Sequence, residues 1–280
     1  MYNLTVYTDE ELRQIQKIEK KALAEIIRIC EQLQIECFVI GGTTLGAIRH
    51  NGFIPWDDDI DVGMTRENYI KFIKSAEKYL SPQYHLQTPY GNVNSPYIYT
   101  KVRIDGTKFV EYPNRNLKIH QGVYIDVFPF DEVPDDENLN LEQFKKIRSL
   151  IWLFGMRQAP DRYAPPKSLS EQMKQIAHRT LYYFLKIIPH DFLVNVIDNQ
   201  MQKYNGTGQK ALACLCFPRR KVEYVEKINL WPLKEHQFED LTVPIPGNYD
   251  EYLKTHYGEY MKLPPREERY GHKPWLVELE

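Results

Sequence analysis

The sequence predicts an α+β fold in which a mixed β-sheet flanked by helices is followed by a mainly helical part. Three observations predict it. Helical and strand-like hydrophobic periods alternate up to residue 80, strand-like alternation dominates residues 97–128, and long helical periods return after residue 139. A stretch rich in proline and acidic residues, 129–137, separates the two parts. We therefore predict a core over residues 1–136 and a helical and irregular region over residues 137–280.

Local patterns define the individual elements. Thr8 and Glu11 form a capping box, and apolar residues then recur at helical spacing toward Leu33. An apolar run that stops at Gly41 and Gly42 predicts a buried strand entering a tight turn. The first elements are a helix over 8–33, a strand over 37–40, a short helix over 43–49, a strand over 59–62 and a helix over 65–80. Later ones are strands over 97–104, 108–112 and 123–128, helices over 139–156, 168–188 and 191–204, and an irregular tail from residue 238.

Composition excludes several classes of protein. The formal net charge is -2 with both signs interspersed, so no basic surface predicts binding to a nucleic acid polymer. The four cysteines lack the spacing of a zinc or redox centre and are predicted to be reduced core residues. The N-terminal segment has no basic stretch followed by an apolar run, and we therefore predict a cytoplasmic protein.

An acidic cluster is the main candidate for chemistry, because residues 57–61 place four aspartates within five positions. In a strand, Asp59 and Asp61 point to one face, where their oxygens share a hard cation, and Asp58 points to the other. Asp126, between apolar neighbours in a later strand, is the expected third ligand or general base. The cluster thus predicts a Mg²⁺ or Mn²⁺ site with Asp59, Asp61 and Asp126 as metal ligands and catalytic residues.

A solvated loop and a calcium site account less well for the acidic cluster. If the cluster were a solvated acidic loop, the hydrophobic residues interleaved with the acids would have no structural role. A calcium-binding EF-hand loop beginning at Asp57 requires glycine at its sixth position and glutamate at its twelfth, where Val62 and Asn68 stand. A metal site for phosphoryl transfer remains the favoured interpretation.

The glycine turn upstream of the cluster predicts a phosphate-binding element. Gly41, Gly42 and Thr43 follow a predicted strand and open a predicted helix, where free backbone N–H groups and the helix dipole favour an anion. Such turns are common, so the prediction gains weight only from the nearby acidic pair.

Residues 41–61, GGTTLGAIRHNGFIPWDDDID, resemble the signature of the LicD family. The resemblance continues through 101–103 and 122–129 and through a tail from Val243 to His272. It implies a nucleotidyltransferase-like mixed sheet in a catalytic core, with the later region completing the donor and acceptor site. The family pattern of a glycine turn, an acid pair and a later single acid maps onto Gly41–Gly42, Asp59 with Asp61, and Asp126. The longer segment 49–56 before the acid pair leaves the role of Thr43 open.

The resemblance also implies an activity, since the family includes bacterial phosphocholine transferases that decorate teichoic acid or lipopolysaccharide and fukutin-type ribitol-phosphate transferases. We predict a metal-dependent phosphotransferase that moves phosphocholine, or a similar phospho-alcohol, from a CDP-linked donor such as CDP-choline to a sugar hydroxyl. The acceptor is expected to be a cell-surface glycan precursor, free or lipid-linked. Asp126 or Asp58 is the expected proton acceptor. The predicted substrate-binding residues are Gly41, Gly42, Thr43, Arg49, Trp56, Asp58, Lys101 and Arg103.

Specific roles accompany these substrate-binding residues. Lys101, Arg103 and Arg49 are predicted to offset charge on the leaving phosphate. Trp56 is predicted to contact a quaternary ammonium group through its ring face. An ordinary surface or structural role remains the alternative for each of them.

Two alternative functions remain at this stage. A nucleotidyltransferase acting on a small-molecule or sugar acceptor would use the same carboxylates. A non-catalytic binding module would retain the fold, although it has no evident need for clustered acids. The apolar run 176–197 predicts either helix packing in the core, which is commoner, or peripheral contact with a membrane.

Overall fold

The computed structural model describes residues 7–91, 95–161, 165–217 and 223–279. Its helices are α1 (Asp9–Leu33), α2 (Gly41–His50), α3 (Arg66–Ser75), α4 (Glu137–Gln158), α5 (Leu169–Leu185), α6 (His190–Met201), α7 (Lys227–Leu230) and α8 (Tyr249–Tyr257). Its strands are β1 (Phe38–Val39), β2 (Asp61–Thr65), β3 (Tyr84–Gln87), β4 (Thr100–Ile104), β5 (Lys108–Val110), β6 (Tyr124–Val133), β7 (Ala211–Ala213), β8 (Tyr224–Glu226), β9 (Lys234–Phe238), β10 (Leu241–Ile245) and β11 (Leu276–Glu278).

The long strand β6 organises the main sheet, whose strands follow the order β1-β2-β6-β4-β3. Strand β2 runs parallel to β6, whereas β4 runs antiparallel to it on the other side. Beyond residue 130, β6 pairs instead with β7, which carries β8 at its outer edge. The predicted α+β fold class, a mixed sheet with flanking helices, is confirmed.

The first helix forms as its sequence predicts. The Glu11 N–H donates to Thr8 Oγ1 at 3.2 Å, and the Thr8 N–H donates to Glu11 Oε2 at 2.6 Å, which completes the capping box. One face of α1, including Ile15, Leu23 and Ile26, is buried in the core beneath the sheet. This helix therefore closes the face of β6 near the acidic residues.

The second strand departs from the prediction because β2 begins at Asp61 rather than at residue 59. The Asp57 N–H donates to the Ile54 carbonyl at 2.9 Å and closes a turn, and the backbone joins the strand ladder only after Asp59. The expected alternation of Asp59 and Asp61 within one strand is therefore wrong. Asp59 belongs to the segment that leads into the strand.

Strand β6 is longer than predicted, because it continues through Pro129 to Val133 where a boundary segment was expected. Residues 124–127 pair with β4 and residues 131–133 pair with β7. Pro129 lies between these two paired segments, so its missing N–H removes no ladder bond on that side. Strand β4 is shorter than predicted and begins at Thr100.

The C-terminal segment is more ordered than the sequence indicates. Instead of an irregular tail it contains part of the β9–β10 hairpin, helix α8, and strand β11, which pairs with β5. Phe238, Val243 and Ile245 join the same core as α1 and β6. The predicted boundary near residue 136 falls between β6 and α4, and chain segments from both sides of it share both cores. The division into two domains stays a prediction.

The apolar run 176–197 divides between two environments. Leu193, Val194 and Ile197 of α6 are buried, as core packing predicts. Ile176 of α5 and Ile187 just beyond it are exposed, so core packing is wrong for this half. Within the described part of the chain, no helix has the length and apolar character needed to cross a bilayer.

Candidate active site

Three of the predicted site residues lie side by side across the centre of the sheet. Asp61 of β2 is the register partner of Asp126 of β6, and Asp126 is in turn the partner of Lys101 of β4. Directly paired residues on neighbouring strands project from the same face of a sheet. The structure therefore brings two predicted metal ligands and one predicted cation onto one surface.

Lys101 is bonded to Asp126 and is enclosed by aromatic rings. Its Nζ lies 2.6 Å from Asp126 Oδ1, 3.3 Å from the Tyr124 ring centroid and 4.5 Å from that of Tyr97. Burial raises the pKa of Asp126 although the Lys101 ammonium opposes that rise. Lys101 is thus placed to offset charge at Asp126, and its predicted contact with a leaving phosphate stays a prediction.

The acidic residues around Asp61 perturb one another strongly. Burial, together with the charge and hydrogen bond of Asp59, raises the pKa of Asp57 to about 8. Burial raises the pKa of Asp61 well above its usual range, and the charges of Asp59, Asp126 and Glu223 raise it further. These carboxylates are close enough to hinder one another's ionisation, which is the condition that a bound cation relieves.

Asp58 differs from its neighbours because it forms an ion pair. Its Oδ1 accepts a hydrogen bond from the His272 backbone N–H at 2.9 Å and lies 3.0 Å from His272 Nδ1. Burial opposes ionisation of Asp58, but the contacts with His272 outweigh it and lower the pKa of Asp58. The hydrogen bond with Asp58 raises the pKa of His272 to about 9. This pair fastens the C-terminal segment beside the acidic cluster.

The compact metal-ligating group differs from the predicted one. Across the ranges that the structure describes, one group of three potential ligands has all its atoms within 4.8 Å, and it consists of Asp58, Asp59 and His272. The set of Asp59, Asp61 and Asp126 is less compact. Asp126 is ion-paired with Lys101, and Asp59 accepts a hydrogen bond from the Asp57 carboxyl, whose raised pKa favours its protonated form.

The glycine turn forms the predicted helix start, but acidic side chains surround it. A Cβ added to Gly41, whose φ is +54°, would lie 2.9 Å from Glu223 Oε1 and 3.7 Å from Asp61 Oδ2. A Cβ added to Gly42 would lie 2.9 Å from Asp57 Oδ2. The glycines therefore let carboxylates approach the positive end of α2.

Two hydrogen bonds connect the glycine turn to other parts of the chain. The Gly41 N–H donates to the Tyr252 hydroxyl at 2.8 Å. Buried Thr43 accepts a hydrogen bond from the Asp61 N–H through its Oγ1 at 2.9 Å. Thr43 thus positions Asp61. This hydrogen bond accounts for the placement of Thr43 without a donor phosphate, and the predicted phosphate-binding role of Thr43 stays a prediction.

Sequence reasoning missed two further acids, Glu19 and Glu223. Glu19 lies on the buried face of α1, its Oε2 has no hydrogen-bond partner among the described residues, and burial and Asp59 raise its pKa. A glutamate at a core position of an amphipathic helix was the signal that could have identified it. Glu223 accepts a hydrogen bond from the Tyr252 hydroxyl, and burial raises its pKa. No local pattern marks Glu223, since only the tertiary fold brings it to Gly41.

Arg103 is fully buried and donates hydrogen bonds to uncharged groups. Its Nε donates to Gln87 Oε1 at 3.0 Å and its Nη1 donates to the Gly122 carbonyl at 2.8 Å. The side chain is fully buried beneath the sheet end. In this structure Arg103 supports the loop at Gly122 and lies on the same face of β4 as Lys101, and its predicted contact with a leaving phosphate stays a prediction.

Arg49 and Trp56 lie near the C-terminal end of α2. Arg49 Nη1 donates to the Tyr260 carbonyl at 2.7 Å. The Arg269 guanidinium carbon lies 5.3 Å from the Trp56 ring centroid, so a cationic group already occupies one face of that ring. This arrangement is compatible with a ring that recognises a positively charged ligand.

Comparison with known proteins shows what the chain is similar to. Residues 34–150 match the family model described as LicD/FKTN/FKRP, nucleotidyltransferase domain. Over this segment the chain is similar to the LicD family. The LicD match runs from just before β1 into α4, so it contains the glycine turn, the acid cluster, Lys101 and Asp126. Glu19, Glu223 and His272 lie outside it.

Two relatives illustrate the range of similarity. The lipopolysaccharide cholinephosphotransferase LicD of Haemophilus influenzae is 27% identical over 263 residues, which cover 93% of this chain and 95% of that protein. The uncharacterized protein RT0683 of Rickettsia typhi is 24% identical over 202 residues, which cover 70% of this chain and 59% of that protein. The similarity to the Haemophilus protein therefore extends well beyond the LicD domain itself.

The donor set of this site fits a hard divalent cation. The clustered groups are carboxylates, and oxygen ligands of this kind are preferred by Mg²⁺ and Mn²⁺. Burial raises the pKa of Asp61 and of Asp126, and the charge of Asp59 raises both further, so a cation at this surface would favour the ionised forms. The arrangement can therefore hold a cation and, with it, the phosphates of a nucleotide.

Proposed function

We propose that the protein is a metal-dependent phosphotransferase that moves phosphocholine, or a similar phospho-alcohol, from a CDP-linked donor to a sugar hydroxyl of a glycan. The pairing of Asp61 with Asp126 across β2 and β6, next to Asp57 and Asp59, carries the proposal. The relative from Haemophilus, named a lipopolysaccharide cholinephosphotransferase, supports choline phosphate as the transferred group and a lipid-linked glycan as the acceptor.

The metal ligands in this proposal are Asp59, Asp61 and Asp126. When bound, Mg²⁺ or Mn²⁺ supplies charge neutralisation for the donor diphosphate and for charge that develops in the transition state. Lys101 limits the negative charge at Asp126, and Thr43 fixes the backbone of Asp61. These contacts hold the ligands before substrate arrives, which lowers the reorganisation needed for reaction.

The transfer itself is an in-line displacement at the phosphorus that bears the alcohol. The acceptor oxygen forms the new P–O bond, and the bond to the bridging oxygen of CMP breaks. The acceptor proton passes to a carboxylate. Of the two predicted bases, Asp58 is the weaker because His272 lowers its pKa, whereas burial raises the pKa of Asp126. The base role falls to Asp126 if Asp59 and Asp61 hold the cation without it.

The alcohol group is proposed to contact Trp56. A quaternary ammonium binds the face of an indole ring by cation–π attraction, and Arg269 already uses such a face. Replacing Trp56 by Leu is then expected to raise KM for CDP-choline more than for a CDP-alcohol without positive charge. Equal increases for both donors would remove Trp56 from the proposal.

We place the reaction in the cytoplasm, where nucleotide-activated donors are available. The four cysteines Cys30, Cys37, Cys214 and Cys216 are all buried and unpaired, which supports a reducing compartment. Fractionation of cells expressing the chain tests this placement, and recovery outside the cytoplasm and the inner membrane face would contradict it.

Product analysis tests the reaction. Purified protein is incubated with CDP-choline, a lipopolysaccharide acceptor and Mg²⁺, and CMP release and choline incorporation are measured. The Asp59→Ala variant is expected to lose this turnover, as is the wild-type protein after addition of EDTA. The matched control is Asp191→Asn, which changes an exposed aspartate in the first turn of α6.

The alternative functions give different outcomes. Pyrophosphate release from CTP or ATP, without CMP release from CDP-choline, would favour a nucleotidyltransferase, the activity for which the matching domain is named. Nucleotide binding without turnover on any of CDP-choline, CDP-ribitol or CDP-glycerol would favour a binding module.

A further inference from the structure

Helix α5 has an unusual distribution of polar and apolar side chains. The outward face is apolar over about five turns and continues into residue 187. Its side chains, between 64% and 81% exposed, are Leu169, Met173, Ile176, Tyr183, Phe184 and Ile187. At about 100° of rotation per residue these six positions fall on one stripe, in which Thr180 stands between Ile176 and Tyr183. We call this stripe the α5 apolar face.

The inward face of α5 forms polar contacts with the segment that follows α4. Gln175 Nε2 donates to Asp161 Oδ1 at 2.6 Å, and Arg179 Nη2 lies 2.7 Å from the same oxygen. His178 Nε2 lies 2.9 Å from the Ala159 carbonyl. Gln175 is the buried residue of this helix, and Leu181, Tyr182 and Leu185 are half-buried on the same side. The α5 apolar face lies on the opposite side and is exposed.

Helix α6, which follows directly, provides the contrast within the same region. It buries Leu193, Val194 and Ile197 and so has the usual orientation. Phe192 of α6 and Trp152 of α4 are each 60% exposed, but these are single side chains, whereas the exposed hydrophobic residues of α5 form a stripe along the helix. An exposed apolar stripe of this length is expected to be covered by another surface.

Charge around the α5 apolar face indicates what covers it. Residues 145–187 contain nine Lys and Arg residues against two acidic residues, a net charge of +7, although the whole chain has a net charge of -2. Those on described, exposed side chains are Lys145, Lys146, Arg148, Lys167, Lys174 and Arg179. Positive charge is therefore concentrated on and around the same two helices, α4 and α5.

We propose that the α5 apolar face docks on an anionic lipid bilayer, lying in the interface parallel to the membrane plane. Apolar side chains enter the acyl boundary, and the surrounding lysines and arginines contact lipid phosphates. A second copy of the chain is disfavoured as the occupant, because two identical faces would bring like charges together. The inference does not depend on the transfer reaction, since helix and charge alone carry it.

Vesicle cosedimentation of the purified full chain tests the proposal. We expect the wild-type protein to pellet with phosphatidylglycerol-containing vesicles and much less with pure phosphatidylcholine vesicles. The double variant Ile176→Glu/Ile187→Glu should lower the partition coefficient about tenfold or more, because two inserted apolar side chains become charged. The matched control is Ile228→Glu on α7, since Ile228 is 79% exposed and Ile187 is 81% exposed.

Each outcome decides the proposal. Retained binding by Ile228→Glu and lost binding by the double variant support it. Failure of the wild-type protein to pellet, or equal pelleting of the double variant, overturns it. A wild-type dimer that dissociates in the double variant, without vesicle binding, overturns it in favour of a second copy.

A charge variant keeps the test valid if the double variant fails to fold. Lys167→Gln/Lys174→Gln changes two exposed side chains and leaves the apolar face intact. It should weaken binding to anionic vesicles about thirtyfold, since each of the two basic residues near such a surface contributes roughly 1 kcal/mol. Unchanged binding by this folded variant would contradict the role of charge.

Discussion

The acidic cluster and helix α5 break the usual distribution of residues in opposite ways. The cluster gathers carboxylates against β2 and β6, where several are buried and hinder one another's ionisation. Helix α5 exposes a stripe of hydrophobic side chains and buries Gln175. Charges are expected outside and hydrophobic groups inside a stable fold, so each departure costs stability. Such departures are expected where a protein meets a ligand or a surface.

The two regions also differ in what would offset the stability that each of them loses. In the proposals made above, a divalent cation would offset the repulsion of the cluster, whereas a lipid surface would cover the apolar stripe. One region would then need a small ion and the other an extended surface. The following substitutions test this comparison at the cluster, in order of decreasing expected effect.

Asp61→Asn gives the largest expected effect. Turnover of CDP-choline is expected to fall about 1,000-fold or more, because a charge-bearing ligand of the phosphoryl-transfer site is lost. The melting temperature without metal is expected to rise, because a buried like charge is removed. Activity assays and thermal melts of this variant beside Asp191→Asn measure both effects. Loss of activity together with a lower melting temperature would indicate a structural role for Asp61 instead.

Lys101→Met should destabilise the fold by about 3 kcal/mol, because it leaves Asp126 buried without its partner ammonium. Urea unfolding at neutral pH measures the change. The double variant Lys101→Met/Asp126→Asn serves as the control and should recover most of the lost stability. If both variants lose the same free energy of unfolding, the Lys101–Asp126 ion pair is not the cause.

Gly41→Ala should cost about 1–3 kcal/mol, since a side chain there is strained at positive φ and its Cβ meets Glu223. Gly208→Ala is the matched control. Gly208 also has positive φ, at +77°, but open space lies where its Cβ would stand. The excess loss at Gly41, measured by urea unfolding, reports the close approach of Glu223. Equal losses at both glycines would exclude that steric contribution.

His272→Gln gives the smallest expected effect, below about 1 kcal/mol, because the His272 side chain is half exposed and solvent screens its ion pair. The folded-state pKa of about 9 lies above the usual value of 6.5. The stabilisation is therefore complete below pH 6.5 and is lost as pH rises through 9.

Melting curves of the wild-type protein and His272→Gln, recorded in EDTA from pH 6 to 10, measure this dependence. Their difference in melting temperature should shrink as pH rises. The control is His236→Gln in β9, whose ring contacts the Gln237 carbonyl. A difference that grows with pH would contradict the Asp58–His272 ion pair.

Several features of the site followed from local patterns. The capping box at Thr8, the helix that starts at Gly41 and the neighbouring placement of Asp61 and Asp126 all agree with the sequence-based predictions. Each depends on backbone propensity or on hydrophobic alternation, which are encoded within a few residues.

Contacts between distant segments decided the remaining features. Asp59 lies before β2 rather than within it, Arg103 supports the Gly122 loop, and Glu223 reaches Gly41 from a segment that sequence analysis did not assign to the site. Local alternation carries no information about which distant carbonyl or carboxylate a side chain meets. These placements required the complete fold.

The sequence by itself determined the fold class, the family resemblance and the presence of an acidic cluster, because hydrophobic period and motif spacing are local properties. Only the tertiary structure decided that Glu19 and Glu223 join the cluster, that His272 holds Asp58, and that the apolar face of α5 points outward. An amphipathic helix has the same sequence pattern whichever way it is turned, and the surrounding chain fixes which face is buried.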